Sequence, residues 1–270
     1  MKVINSSETL KGIKFKKPLA LVPTMGNLHL GHLSLVEYAK QNFNSVMVSI
    51  YVNPLQFGPQ EDFKKYPKTL DEDKKVLKEK GCDFLFLPEK DFSDNLDIET
   101  TELSKVLCGI NRPGHFEGVI AIVNKFLDVV NPDACLFGLK DFQQQLIIKD
   151  FVKRKNLKTK IISLPTIREK SGLAMSSRNN YLNEDQKLIC GKIYKELCHI
   201  SETIKGPFFE KSLIDQSVKN LEKSQFKVDY LHILDAESLK SPFKDTKSIL
   251  IAIAVNFQGV RLIDNVIKDL

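Results

Sequence analysis

The chain lacks any apolar run near the roughly 20 residues needed to cross a bilayer, and Met1-Lys2-Val3-Ile4-Asn5-Ser6 lacks the apolar core of a signal peptide. Neither a membrane span nor a secretory leader is therefore expected, and the cytoplasm is the expected location. The five cysteines, Cys82, Cys108, Cys135, Cys190 and Cys198, include no Cys-x-x-Cys pair, and none stands near a histidine at zinc-finger spacing. This argues against a disulfide framework and against a metal cage. No internal repeat and no low-complexity segment is present. Net charge is +6, yet the lysines are interleaved with acids, as in Asp73-Lys74-Lys75-Val76-Leu77-Lys78-Glu79-Lys80. A nucleic-acid footprint would cluster on one face, so a solvated lysine-rich surface is expected and no nucleic-acid partner.

The composition, 42% hydrophobic and 27% charged over 270 residues, is that of a globular protein with room for one substantial core and a smaller second one. Strand-like runs at Pro18–Val22, Ser45–Val52, Asp83–Leu87, Ala134–Phe137 and Lys160–Leu164 are separated by segments long enough for crossover helices. That is the α/β alternation of a parallel sheet. Helices are expected over Leu33–Ala39, after the capping-box form Thr69-Leu70-Asp71-Glu72 and stopping near Gly81, over Glu117–Val130 and over Asp141–Arg154. After Pro165 the pattern changes to a smaller α+β domain: a long helix from near Asn183, another after Pro207, and strands around Val228–Leu234 and Ser248–Asn256. Gln258-Gly259 marks a closing hairpin. The expected domains are residues 1–165 and 166–270.

In parallel sheets of this kind ligands bind beyond the carboxyl ends of the strands. Pro23-Thr24-Met25-Gly26-Asn27-Leu28-His29-Leu30-Gly31-His32 stands there, where a buried strand becomes a helix, with His32 in the first helical turn. Free backbone N–H groups and the positive end of the helix dipole favour a phosphate at such a place, and two imidazoles can add hydrogen bonds or protons. His29 and His32 can equally be capping histidines. Asn53-Pro54-Leu55-Gln56-Phe57-Gly58-Pro59, after the next strand, leaves the Asn53 and Gln56 amides to bind a hydroxy-carboxylate, or is a turn in which Asn53 bonds its own backbone.

Asn111-Arg112-Pro113-Gly114-His115-Phe116-Glu117-Gly118, a second glycine-bearing loop ahead of a helix, offers Arg112 and His115 to an anion, or is a basic capping loop. In Gly138-Leu139-Lys140-Asp141-Phe142-Gln143-Gln144, Lys140 can reach phosphates and Gln144 a substrate. Asp141 and Gln144 also fit a capping box. Met175-Ser176-Ser177-Arg178 can hold departing phosphates or merely cap a helix.

Taken in order, these motifs, together with Gly259-Val260-Arg261-Leu262-Ile263-Asp264-Asn265, resemble the pantothenate synthetase (pantoate–β-alanine ligase) family, within the superfamily of nucleotidylyl transferases that carry His-x-Gly-His. The resemblance covers roughly residues 1–265. It implies a Rossmann-like N-terminal domain, a small C-terminal lid and a homodimer. The reaction it implies joins pantoate to β-alanine, turning ATP into AMP and diphosphate through a pantoyl adenylate. Another His-x-Gly-His nucleotidylyl transferase is the alternative.

Carried over by residue, the resemblance places Met25, Gly26, Asn27, Leu28, His29, Leu30, Gly31 and His32 at ATP. Gly138, Leu139, Lys140, Asp141, Ile167 (by its backbone), Met175, Ser176, Ser177 and Arg178 join them there. His32, His29, Lys140 and Arg178 would be catalytic, and Gln56 and Gln144 would hold pantoate. Mg²⁺ would bridge the ATP phosphates, with Asp73 as a carboxylate for it. Leu30 and Leu139 depart from the family pattern, which often has an acid at the first and Glu or Gln at the second. The segment Pro88–Thr101 also looks unlike the family's.

Overall fold

The structure, a computed structural model, describes residues 1–59 and 61–270. It divides into two compact units: Met1–Ser104 with Arg112–Leu139 and Gln143–Pro165, and Lys105–Asn111 with Lys140–Phe142 and Thr166–Leu270. Two short segments from before Pro165, 105–111 and 140–142, thus cluster with the second unit.

The first unit holds strands β1 (Lys2–Ile4), β2 (Leu19–Thr24), β3 (Ser45–Ile50), β4 (Phe84–Phe86), β5 (Ala134–Gly138) and β6 (Lys160–Leu164), in the sheet order β1-β4-β3-β2-β5-β6. Every pairing is parallel. All five residues of β2 outside Pro23 are buried, as a strand covered on both faces requires. Pro23 sits in this central strand without cost to the ladder, because pairing with β5 ends at Leu21 while pairing with β3 runs on to Thr24. The edge strand β1 has only three residues, too few to show a period in the sequence.

The helices of this part are α1 (Ser7–Lys11), α2 (Leu30–Asn42), α3 (Leu70–Glu79), α5 (His115–Val130) and, from Gln143 on, α6 (Phe142–Arg154); the one-turn α4 (Cys108–Asn111) clusters with the second unit. Leu35, Val36 and Ala39 of α2 and Leu77 of α3 join Ala20, Val22, Val46, Val48, Leu85, Ala134 and Leu136 of the strands in one core. Thr69 caps α3, but its hydroxyl donates to Asp73 Oδ2 at 3.2 Å instead of closing the expected capping box.

The second unit contains α7 (Glu184–Cys190), α8 (Lys192–Thr203) and α9 (Lys211–Glu222), then β7 (Phe226–Asp235), β8 (Ser248–Phe257) and β9 (Val260–Asp269) as an antiparallel sheet β7-β8-β9. The long helix expected from Asn183 is two helices, divided at Gly191, the residue type that favours helix least after proline. Ile193, Leu197 and Ile200, on one face of α8, pack with Ile249, Ile251, Ile253 and Val255 of β8. Gln258 and Gly259 take φ of 49° and 88°, the type I′ form that suits the twist of a hairpin. Among the described residues no helix is long and apolar enough to cross a membrane.

Candidate active site

The loop between β2 and α2 is held from inside the first unit by one carboxylate. Asn27 N–H and Leu28 N–H donate to Asp73 Oδ2 and Oδ1 at 2.9 and 2.8 Å, and Asp73 itself is buried. Gly26 turns the chain at φ 81°, where a Cβ would lie 3.1 Å from Asp73 Oδ2. Both Asp73 oxygens accept backbone or hydroxyl protons, so the carboxylate expected for Mg²⁺ is engaged in holding this loop. No group of three or more His, Cys, Asp or Glu suited to a metal exists among the described residues.

His29 and His32 open α2 as a reciprocal cap. Gly31 N–H donates to His29 Nδ1 at 3.1 Å, and His29 N–H donates to His32 Nδ1 at 3.4 Å. A ring nitrogen that accepts a proton donor carries none of its own, so each neutral imidazole bears its proton on Nε2. The two rings lie 4.0 Å apart, tilted by 35°. The first turn of α2 itself contains no acid. Leu30, at the first helical position, is 56% exposed. The capping reading and the phosphate reading are thus compatible: Nδ1 serves the backbone, and Nε2–H is the donor.

Asn53 is buried and fully engaged. Its Oδ1 accepts Leu55 N–H at 3.2 Å, and its Nδ2 donates to Gly118 O at 3.0 Å and Gln56 Oε1 at 3.1 Å. It therefore orients Gln56, and the turn reading, in which Asn53 bonds its own backbone, holds. Gln56 Nε2 lies 3.1 Å from Met25 Sδ, a weak acceptor.

Arg112 and His115 are engaged in the same way. Arg112 Nε and NH2 donate to Glu61 Oε1 and Oε2 at 2.6 and 2.5 Å, a bidentate pair that neutralises the guanidinium. His115 Nδ1–H donates to Gln56 O at 2.8 Å, which leaves Nε2 to accept Arg112 NH1 at 3.0 Å. Arg112 NH2 also donates to Gln56 O at 3.2 Å. Both side chains thus clamp the Gln56 backbone instead of offering a bare cation. Burial pushes the Glu61 carboxyl up, but the bonds and charge of Arg112 overcome it and hold the group below its ordinary value. Glu61 is not visible as a partner in the sequence, since it lies 51 positions from Arg112.

Gln144, in α6, is half-buried, and its side chain makes no hydrogen bond among the described residues. Its neighbours do: Gln143 Nε2 donates to Leu103 O and Gln145 Oε1 accepts Ser163 Oγ, both at 2.8 Å. Gly138 ends β5, with open space where a Cβ would stand, and Leu139 follows it in a 3₁₀ turn.

Within the second unit, Lys140 Nζ lies 3.5 Å from Asp141 Oδ1. Ile167 O accepts Met175 N–H at 2.9 Å, closing the loop between them. Ser176 Oγ accepts Arg178 N–H at 3.3 Å and caps a 3₁₀ helix, Ser177–Tyr181, which carries Ser177 and Arg178. The capping reading holds for Ser176.

A family profile described as pantoate-beta-alanine ligase matches residues 2–267. Pantothenate synthetase from Pseudomonas paraeruginosa is 44% identical over 256 residues, covering 92% of this chain and 90% of that protein. The one from Thermosipho melanesiensis is 41% identical over 279 residues, with 99% of each covered. Among solved structures, pantothenate synthetase from Thermus thermophilus matches with a TM-score of 0.88 at 33% identity, covering 98% of this chain and 99% of that one. Pantoate-beta-alanine ligase from Francisella tularensis, complexed with beta-gamma ATP and beta-alanine, matches with a TM-score of 0.82 at 33% identity, covering 98% and 97%. On a profile match over nearly its whole length and relatives above 40% identity, the chain belongs to the pantoate–β-alanine ligase family.

Proposed function

We propose that the chain condenses pantoate with β-alanine in two steps driven by ATP. A pantoate carboxylate oxygen attacks the α-phosphorus, the bond from that phosphorus to the bridging oxygen breaks, and diphosphate leaves with the electron pair. The β-alanine amine then attacks the carbonyl of the pantoyl adenylate, loses a proton and expels AMP. Neither step needs a covalent bond to the protein, so positioning and charge stabilisation carry the catalysis.

The observation that supports this reading most directly is the shared tautomer of His29 and His32. Two Nε2–H donors at the N-terminus of a helix whose first turn contains no acid suit the negative charge that builds up on a transferring phosphoryl group. On the family resemblance, the backbone from Met25 to His32, with Gly138, Leu139 and Asp141, binds ATP. Ile167 meets adenine, and Lys140 with Met175, Ser176, Ser177 and Arg178 acts on the phosphates. Gln56 and Gln144 hold pantoate, while Asn53, Arg112 and His115 fix the backbone and amide of Gln56. Mg²⁺, also implied by the resemblance, would be carried on the ATP phosphates with water ligands, not on Asp73.

The deciding experiment supplies ATP and pantoate, withholds β-alanine, and then adds it. Pantoate-dependent diphosphate release followed by AMP and pantothenate on adding the amine is the expected course. Diphosphate release that ignores pantoate, or an amine that yields no pantothenate, overturns the reading. A homodimer in the cytoplasm is part of the same proposal, and a monomer in sedimentation at assay concentration would remove the dimer from it.

A further inference from the structure

Two consecutive residues of β9 reach two separate pieces of the second unit's proposed nucleotide machinery. Asp264, almost fully buried, receives Arg168 in a bidentate pair, NH1 to Oδ2 at 2.6 Å and NH2 to Oδ1 at 2.9 Å. The same guanidinium donates to Gly172 O at 3.0 Å and lies 3.5 Å over the Tyr194 ring. Arg168 also pairs with Ala174 across the base of the loop that Met175 N–H closes on Ile167 O at 2.9 Å. From the far side of that loop Asn179 Nδ2 donates to Glu169 Oε1 at 2.6 Å and Ala174 O at 3.1 Å. The segment from Ile167 to Asn179 is thereby fixed to β9 chiefly through this planar, doubly bonded pair, beside which Arg168 NH2 also donates to Asn265 O at 3.4 Å.

Asn265, the next residue, donates from Nδ2 to Lys140 O at 2.9 Å, and its own N–H donates to Asp264 Oδ1 at 2.8 Å. Lys140 is held at its backbone, with its ammonium group extending from a fixed root. A buried ion pair with such geometry contributes little net stability compared with an apolar pair of the same size, and its best-attested use is to fix register.

We propose that Asp264 and Asn265 are positioning residues for the ATP-dependent step: Asp264 sets the 167–178 segment through Arg168, and Asn265 sets Lys140 through its carbonyl. The inference rests on the reading that Lys140 and residues 175–178 act on ATP. Neither Asp264 nor Asn265 touches substrate in this account.

The test compares Asn265→Ala and the equal-sized Asn265→Asp in the wild-type chain and in a Lys140→Ala background, measuring pantoate-dependent diphosphate release, KM for ATP and β-alanine, and Tm. Displacement of a catalytic group by an ångström costs up to about 10²-fold, so both variants are expected to lose roughly 10- to 100-fold in kcat/KM for ATP. KM for β-alanine is expected to stay unchanged. In the Lys140→Ala background the same substitution is expected to cost less than about twofold, because coupled sites are not additive. Asp264→Asn is expected to reproduce the ATP defect through Arg168.

An equal loss in both backgrounds, a wild-type kcat/KM for ATP, or variants that fail to fold would each overturn the proposal and make the pair an element of the fold. If the wild-type chain itself shows no pantoate-dependent diphosphate release, it is the activity reading that fails, and the inference with it.

Discussion

Gly118, in the first turn of α5, lies against Leu55 so closely that a Cβ on it would meet the Leu55 carbonyl oxygen at 2.3 Å and its carbon at 2.5 Å. Both obstacles are backbone, and the next residue is Gln56. We expect Gly118→Ala to push the 3₁₀ turn Pro54–Gln56 outward, at a cost of about 1–3 kcal/mol in urea denaturation, the range for overpacking. KM for pantoate should rise roughly tenfold or more while KM for ATP is little changed. Wild-type stability and pantoate KM would show that the turn gives way freely.

His29→Asn separates the cap from the chemistry. Asparagine is among the best N-cap residues, so helix α2 should keep its stability within about 0.5 kcal/mol. The Nε2–H donor is lost, and diphosphate release should fall about 10²–10³-fold, the scale for removing one oxyanion donor. His32→Ala should fall about 10²–10⁴-fold, the scale for acid–base groups. Near-wild-type turnover in both would remove the histidines from the phosphoryl step.

Asp73→Asn keeps the volume but turns an NH₂ toward one of the two backbone N–H donors of Asn27 and Leu28. Losing charge-assisted bonds in a buried place should cost about 2–3 kcal/mol by denaturant titration. The Mg²⁺ concentration for half-maximal activity should not change. Unchanged stability together with a raised Mg²⁺ requirement would restore Asp73 as a metal ligand.

Glu61 and Arg112 predict an acid limb. The folded-state carboxyl is held below its ordinary value, so its stabilising contribution is full above the unfolded value, about 4.3, and is lost as pH falls through the lowered one. Arg112→Met should lower stability at neutral pH by about 1–3 kcal/mol and flatten the decline between roughly pH 5 and 3. It should also weaken pantoate binding, because Gln56 O loses the Arg112 donor and the support of His115. A variant with the wild-type slope would mean that the pair does not couple to folding.

The parallel sheet was legible because burial on both faces forces near-continuous apolar runs, and Leu19–Val22, Val46–Val48 and Ala134–Phe137 carry them openly. β1 was not legible, being three residues paired to a strand about 80 positions away. The helix from Asn183 was legible as periodicity but not as two helices, because Gly191 keeps right-handed helical angles, φ −59° and ψ −18°, where the first helix gives way to the second. The motif residues were legible by type. Their partners were not: nothing local joins Arg112 to Glu61, Asp73 to Asn27, or Asn265 to Lys140.

The sequence by itself therefore determined the element types, the two-histidine helix start and the family, because periodicity, caps and glycine turns are local. Tertiary structure alone decided which of the motifs' polar groups hold the backbone or pair with an opposite charge. Asp73, Asn53, Arg112 and His115 read as ligand groups in one dimension, and each is occupied by the backbone or by an opposite charge once the chain is folded. A buried polar group must find a partner, and the partner is set by residues that only folding brings near.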